Sequence, residues 1–136
     1  MIQQLEYTTF NGVSVCIPFH DQVTVIGGES STGKSFIKDT APEHYNDEIK
    51  TVIEIFDYKR TVDVNILQAL KDKLIIIDNA DVLLSENKAV CEHINRDKYN
   101  QYLLFMRSEN DIDVSIDNYA ELKSSGKMLT AVYEYR

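Results

Sequence analysis

Four residues near the start of the chain have the types and the spacing needed to bind phosphate. Gly28, Gly33, Lys34 and Ser35 complete the pattern Gly-x-x-x-x-Gly-Lys-Ser/Thr. A glycine-rich turn of this length directs several backbone N–H groups into one concavity, which fits a polyphosphate. The lysine would reach the outer phosphate oxygens, and the serine hydroxyl would ligate Mg²⁺. The pattern therefore predicts a phosphate-binding loop.

The segments on either side of the loop are those that such a loop requires. Residues 23–26 are a short apolar, β-branched run, which is typical of a buried strand. Residues 35–41 can form a helix, which we expect Pro42 to end. The positive end of that helix dipole would also face the phosphates. The alternative interpretation is a Gly-Ser turn with a surface lysine, which this strand and helix disfavour. The predicted nucleotide-binding residues are Gly28, Glu29, Ser30, Ser31, Thr32, Gly33, Lys34, Ser35 and Phe36.

A second apolar run ends in an acid that can complete a magnesium site. Residues 74–77 are Leu-Ile-Ile-Ile, and Asp78 follows them. A buried strand would deliver Asp78 to the carboxyl edge of a sheet, where it could hold Mg²⁺ through water opposite Ser35. Asp57 also ends an apolar run, but Glu54 interrupts that run, so we favour Asp78 over Asp57. The predicted metal ligands are therefore Ser35 and Asp78. The alternative for Asp78 is that it only caps a turn.

These two segments together resemble the P-loop NTPase superfamily. Residues 27–36 resemble the Walker A loop of its ABC-type and AAA-type ATPases, and residues 74–81 resemble their Walker B segment. The resemblance implies an α/β fold with three α/β/α layers and a mainly parallel sheet, Mg-ATP or Mg-GTP as the ligand, and often oligomerisation. An N-terminal β-hairpin before the loop strand is similar to that of ABC-type ATPases. Residues 95–98 do not form the guanine motif of GTPases, so we predict Mg²⁺ and ATP as the ligands.

Three residues near the predicted magnesium site are candidates for hydrolysis. In many ATPases of this superfamily a glutamate follows the Walker B aspartate and polarises the attacking water, but here the residue is Asn79. An amide cannot act as a general base, although it can orient water, and Asp81 could substitute for the missing carboxylate. Arg107 follows the strand predicted at residues 102–106 and could contact the γ-phosphate through its planar guanidinium. The other interpretation of Arg107 is an ion pair with Glu109.

The remaining pattern predicts strands that alternate with helices. Asn11-Gly12 is a hairpin signal between two strands, and the later apolar runs alternate with segments of helical periodicity. Alternation of this kind predicts a parallel sheet with helices on both faces. The predicted strands are residues 2–8, 13–17, 51–57, 73–78, 102–106, 112–116 and 128–135. The predicted helices are residues 64–73 and 87–97 and a short one near 118–123.

The composition fits one globular domain over residues 1–136. Hydrophobic residues make up 43% of the chain and charged residues 26%. The net charge of −8 argues against binding a nucleic-acid backbone, which needs clustered lysine and arginine. No apolar run is long enough to cross a membrane, and the first residues lack the pattern of a signal peptide. Because the two cysteines form no metal-type pair, we expect a reduced, cytoplasmic protein.

These features leave two functions open. The first is a slow or partner-activated ATPase, in which a protein partner or a second copy of the chain supplies an arginine. The second is a nucleotide-gated regulatory module with little or no hydrolysis, which Asn79 and the missing ABC signature Leu-Ser-Gly-Gly-Gln favour. A small-molecule kinase would carry an arginine-rich segment over the phosphates, and the sequence shows none.

Overall fold

The computed structural model describes residues 2–19, 22–27, 33–46, 53–85, 87–107, 114–115 and 118–133. These residues form one sheet of eight strands and four helices. The strands are β1 (Gln4–Thr8), β2 (Ser14–Pro18), β3 (Val23–Gly27), β4 (Ile53–Phe56), β5 (Leu74–Ile77), β6 (Gln101–Phe105), β7 (Asn118–Ser125) and β8 (Met128–Tyr133). The helices are α1 (Lys34–Asn46), α2 (Val64–Ala69), α3 (Ala80–Leu83) and α4 (Lys88–Arg96).

The strand order is β1-β2-β8-β7-β3-β6-β5-β4, and the two halves of the sheet are built differently. The five strands β7, β3, β6, β5 and β4 are parallel. The pairs β1–β2 and β7–β8 are antiparallel, and β2 joins β8 in parallel. Every residue of β3, β5 and β6 is buried, because these central strands are covered on both faces.

The predicted three-layer α/β/α fold with a mainly parallel sheet is wrong. The sheet is mixed and curled into a half-barrel, and strands predominate over four short helices. One face of β1 and β2 buries Leu5 and Ile17 in the same cluster as Ile37 of α1, whereas Glu6 and Cys16 on the opposite face are exposed or half-buried. This half of the described sheet is therefore covered by a helix on one face, so it cannot form three layers.

The C-terminal part of the described chain accounts for much of this difference. The helix predicted near residues 118–123 is instead the strand β7, although Ala120, Glu121, Leu122 and Lys123 all favour helices. Pairing with β3 on one side and β8 on the other overrides that propensity. The strand predicted at residues 112–116 lies mostly outside the described residues. Its two described members, residues 114 and 115, are not in a strand.

The N-terminal hairpin is present, and Gly12 in its turn has a φ of 83°, which favours glycine. We predicted that Pro42 would end helix α1, but this is wrong, because the helix continues through Pro42 to Asn46. Proline removes one backbone donor, yet the last turns are held because Ala41 and Tyr45 are buried. The Tyr45 hydroxyl also accepts a hydrogen bond from the Glu6 N–H at 2.7 Å. No helix among the described residues is long and apolar enough to cross a membrane.

Candidate functional site

A pocket opens at the carboxyl edge of the parallel strands and collects five of the predicted site residues. The strands β3, β6 and β5 are adjacent and parallel, so their carboxyl ends meet at one edge, and α1 begins there. The residues that line the pocket are Lys34, Ser35, Asp78, Asn79, Phe105, Met106 and Arg107.

Lys34 is the first residue of α1 and is buried, with an exposed fraction of 6%. Its Nζ donates a hydrogen bond to the Met106 carbonyl at 3.3 Å, just past the end of β6. Burial lowers the pKa of the Lys34 ammonium, and Arg107 acts in the same direction, while Asp78 and Asp81 oppose them. The Lys34 ammonium adds positive charge to the wall of the pocket, so this position is suited to an anionic ligand.

The loop itself lies only partly within the described residues. Gly28, Glu29, Ser30, Ser31 and Thr32 lie outside them, so their predicted roles stay predictions. Gly33 has a φ of 106°, and its carbonyl accepts the Ile37 N–H at 3.1 Å in the first turn of α1. Glycine is favoured there because other residues rarely adopt this backbone conformation.

Gly27, the last residue of β3, also requires a residue without a side chain. A Cβ at this position would overlap the ring and hydroxyl of Tyr119 on the neighbouring strand β7. Tyr119 therefore lies close against the backbone from which the loop begins. The predicted binding motif gave no indication of this tyrosine, because its place depends on the pairing of β3 with β7.

Asp78 directly follows β5 and is joined to α1 through Lys38. The Lys38 Nζ lies 3.2 Å from Asp78 Oδ2 and 3.6 Å from Asp57 Oδ2. Burial opposes the charge on Lys38, but the hydrogen bond to Asp78 and the negative charges of Asp78, Asp57 and, least of the three, Asp39 outweigh it and raise the pKa of the ammonium. Asp57 and Asp78, the two aspartates considered as metal ligands in the sequence analysis, are thus both paired with Lys38. The four-residue spacing from Lys34 places Lys38 one helical turn further along the same side of α1.

Asp57 is fixed by its own loop. Its Oδ1 accepts the backbone N–H groups of Lys59 and Arg60 at 2.8 and 3.0 Å. Burial opposes the ionisation of Asp57, but these two donors and Lys38 outweigh it and lower the pKa of the carboxyl.

The backbone conformation at residue 79 favours asparagine over most other residues. Asn79 has φ 51° and ψ 43°, the left-handed conformation, and stands at the N-terminus of α3. Asparagine enters this region more readily than most residues with a side chain. The Asn79 carbonyl accepts the N–H groups of Val82 and Leu83 at 3.0 and 2.9 Å. Its side chain is exposed at the pocket wall, where it could still orient water.

Asp81 is occupied by backbone donors and does not line the pocket. Its Oδ2 accepts the Arg107 N–H at 3.3 Å, and its Oδ1 accepts the Val82 N–H at 3.1 Å. Asp81 therefore ties the start of α3 to the end of β6. The side chain of Arg107 is exposed beside the pocket, and Glu109, its alternative partner, lies outside the described residues.

A second, mostly apolar hollow lies on the other side of the first turn of α1. Phe36, the last of the predicted binding residues, is half-buried there beside Gly33. The other described residues that line the hollow are Val13, Ser124, Gly126, Lys127, Met128 and Leu129.

The oxygen donors at the pocket suit Mg²⁺ held with the help of a ligand. Within the described residues, no group of three or more histidine, cysteine, aspartate or glutamate side chains could hold a metal ion alone. Mg²⁺ commonly binds through one or two protein oxygens, with phosphate oxygens and water completing its shell. The Ser35 hydroxyl and the Asp78 carboxylate meet that description.

No protein-family model matches this chain, and no curated protein matches its sequence. The function is therefore inferred from the chemistry of the pocket and of the loop pattern.

Proposed function

We propose that this protein binds Mg-ATP at the carboxyl edge of its sheet and is a slow or partner-activated ATPase of the P-loop NTPase class. The observation that carries the proposal is the position of Lys34. It is a buried cation at the first residue of α1, which begins within the glycine-rich pattern, and it lines the same pocket as Ser35 and Asp78.

Each part of the nucleotide has a proposed partner. The backbone N–H groups of residues 29–35 and the Lys34 ammonium bind the phosphates. Ser35 and Asp78 hold Mg²⁺, which would neutralise charge on the phosphate oxygens. The base lies in the hollow beside Phe36, where an apolar wall favours a flat ring.

The pocket also indicates why hydrolysis would be slow. Among the described residues that line it, Asp78 is the one carboxylate, and Lys38 is paired with it. Asp81 is engaged by two backbone donors, so it is a poor substitute for a general base. Asn79 would orient water, and Arg107 would contact the γ-phosphate once the nucleotide is bound.

The same observation favours a second candidate, a nucleotide-gated module that binds ATP with little or no turnover. In both cases we propose a cytoplasmic protein that acts with a protein partner or with a second copy of itself. A phosphate-release assay separates the two functions. The ATPase is supported if the rate of phosphate release rises when a protein partner is added or when the protein concentration is raised, since either can supply an arginine. Binding without turnover under all these conditions supports the gated module.

Thermal unfolding with and without Mg-ATP tests the binding itself. Nucleotide at 100 times its Kd should stabilise the wild-type protein by about 2.7 kcal/mol. The variant Lys34→Met keeps most of the buried stem but removes the ammonium, so it should unfold normally and show no shift. Lys59→Met, an exposed lysine in the loop after β4, is the matched control and should shift like the wild type. An unshifted wild type at saturating nucleotide would refute the proposed site.

A further inference from the structure

The carboxyl ends of β4 and β5 place two carboxylates on either side of one lysine. Lys38 reaches Asp78 Oδ2 at 3.2 Å and Asp57 Oδ2 at 3.6 Å, and all three side chains are largely buried, with exposed fractions of 14–15%. The Asp78 N–H donates to the Phe56 carbonyl at 2.9 Å, so the two strand ends are tied together. The Lys38 ammonium therefore has two anionic partners, and it can shift between them by a short movement of its own side chain.

One of these partners is the carboxylate that the proposed Mg²⁺ site requires. An ammonium and a hydrated magnesium ion at the same carboxylate repel each other, and the repulsion is strong in a partly buried site. Mg²⁺ should therefore interact more strongly with Asp78 when the Lys38 ammonium has moved away from Asp78 Oδ2.

Asp57 is positioned to bind that ammonium. Its Oδ1 is occupied by the Lys59 and Arg60 N–H groups, which fixes the carboxylate and leaves Oδ2 facing Lys38. Because the Lys38 Nζ already lies 3.6 Å from Asp57 Oδ2, only a short movement would shift the ammonium from Asp78 to Asp57.

We propose that Lys38 is an internal cation that competes with Mg²⁺ for Asp78, and that Asp57 holds Lys38 when the metal binds. This inference rests on the proposed function. Lys38 and Asp57 are positioning residues in this scheme, because both act on the metal through Asp78. The consequence is a site whose magnesium requirement is set by a lysine and an aspartate that do not contact the metal.

A titration of Mg²⁺ against binding of a fluorescent ATP analogue measures the predicted competition. Lys38→Met removes the competing cation, so the Mg²⁺ midpoint should fall about fivefold. Asp57→Asn keeps an oxygen for the loop N–H groups but removes the charge that draws Lys38 away, so the midpoint should rise about threefold. Asp39→Asn is the control for charge. Asp39 is exposed and acts on Lys38 less strongly than Asp57 does, so this variant should change the midpoint less than either of the other two.

The double variant distinguishes competition from a general effect of charge. If Asp57 acts only through Lys38, then Asp57→Asn should have no effect on the midpoint in the Lys38→Met background. Independent electrostatic effects would instead add, and an additive result would overturn the proposal. So would two single variants that lose stability to urea but keep the wild-type midpoint, since that is the behaviour of a purely structural ion pair.

Failure of the inference differs from failure of the proposed function. A wild-type protein that binds no nucleotide at any Mg²⁺ concentration would overturn both. Nucleotide binding that is abolished by Lys34→Met, with a midpoint insensitive to Lys38 and Asp57, would overturn the inference and leave the proposed function standing.

Discussion

Both edges of the parallel strands carry clusters of largely buried polar side chains, and the two clusters differ in what they face. At the amino edge, the Asp97 carboxylate is buried and accepts hydrogen bonds from the Tyr102 hydroxyl, the Asn100 amide and the Tyr99 N–H at 2.5–2.8 Å. At the carboxyl edge, Lys34 and Asp78 line an open pocket.

This comparison indicates that the amino-edge cluster stabilises the fold, whereas the carboxyl-edge cluster is suited to binding a ligand. Asn100 also donates to the Leu70 carbonyl and accepts the Lys73 N–H, so the amino-edge cluster joins several segments of backbone. The described polar groups of the amino-edge cluster mainly form hydrogen bonds with one another and with backbone, whereas charged side chains at the carboxyl edge line a pocket. Removing the first cluster should cost stability, and removing the second should cost binding.

The largest expected effect is at the amino edge. Asp97→Ala leaves the Tyr102 hydroxyl and the Asn100 amide without their acceptor in the interior, so the free energy of unfolding should fall by about 3 kcal/mol. Urea denaturation measures this change, and Asp97→Asn, which keeps one oxygen, should lose less. The affinity for Mg-ATP should stay close to that of the wild type. A loss of affinity in a still-folded Asp97→Ala protein would remove the distinction between the two edges.

Tyr102→Phe should have a smaller effect that depends on pH. Burial and the nearby Asp97 raise the pKa of the Tyr102 hydroxyl well above its ordinary value of 10.0. The neutral tyrosine therefore contributes stability that is present below pH 10 and is lost as the pH rises further. The variant should be less stable by about 1.5 kcal/mol at pH 7, and the gap should narrow above pH 10. A stability gap at position 102 that does not change with pH would contradict the assignment of this hydroxyl to the Asp97 cluster.

The smallest expected effect concerns the backbone at position 79. Asn79→Gly should leave the free energy of unfolding nearly unchanged, while Asn79→Ala should cost about 1 kcal/mol because alanine resists the left-handed conformation. Asn79→Glu carries a similar backbone cost, so any gain in phosphate release should be compared with Asn79→Gly rather than with the wild type alone. If Asn79→Gly releases phosphate as fast as the wild type, the amide does not orient the water.

Sequence patterns predicted much of the parallel half of the sheet. The fully apolar run at 74–77 indicated a buried strand, and Asp78 at its end therefore had to lie at the edge where α1 begins. The same reasoning placed Lys34, Ser35 and Arg107 near that edge. The role of Lys38 as a bridge between two aspartates was not predicted, because it depends on β4 and β5 lying side by side.

The mixed half of the sheet could not be predicted in this way. Residues 120–123 favour a helix locally, and only their neighbours β3 and β8 make them a strand. The pairing of Ser14 with Met128 joins segments that are distant in the sequence, and no local pattern indicates it. The Asp97 cluster was missed for the same reason, because its partners come from separate elements.

The pairing of β2 with β8 also bears on how the protein is made. During translation the residues of β1 and β2 leave the ribosome well before those of β8 are synthesised. The edge of β2 that pairs with β8 therefore stays unpaired until the later part of the chain has been made. Non-local strand pairing of this kind slows folding. Pulse-labelled hydrogen exchange should find the Ser14 N–H, which donates to the Lys127 carbonyl, protected no earlier than the amides of β8. Within the described sheet, the hairpin β1–β2 would thus be synthesised before β8 but complete its pairing only after β8 is available.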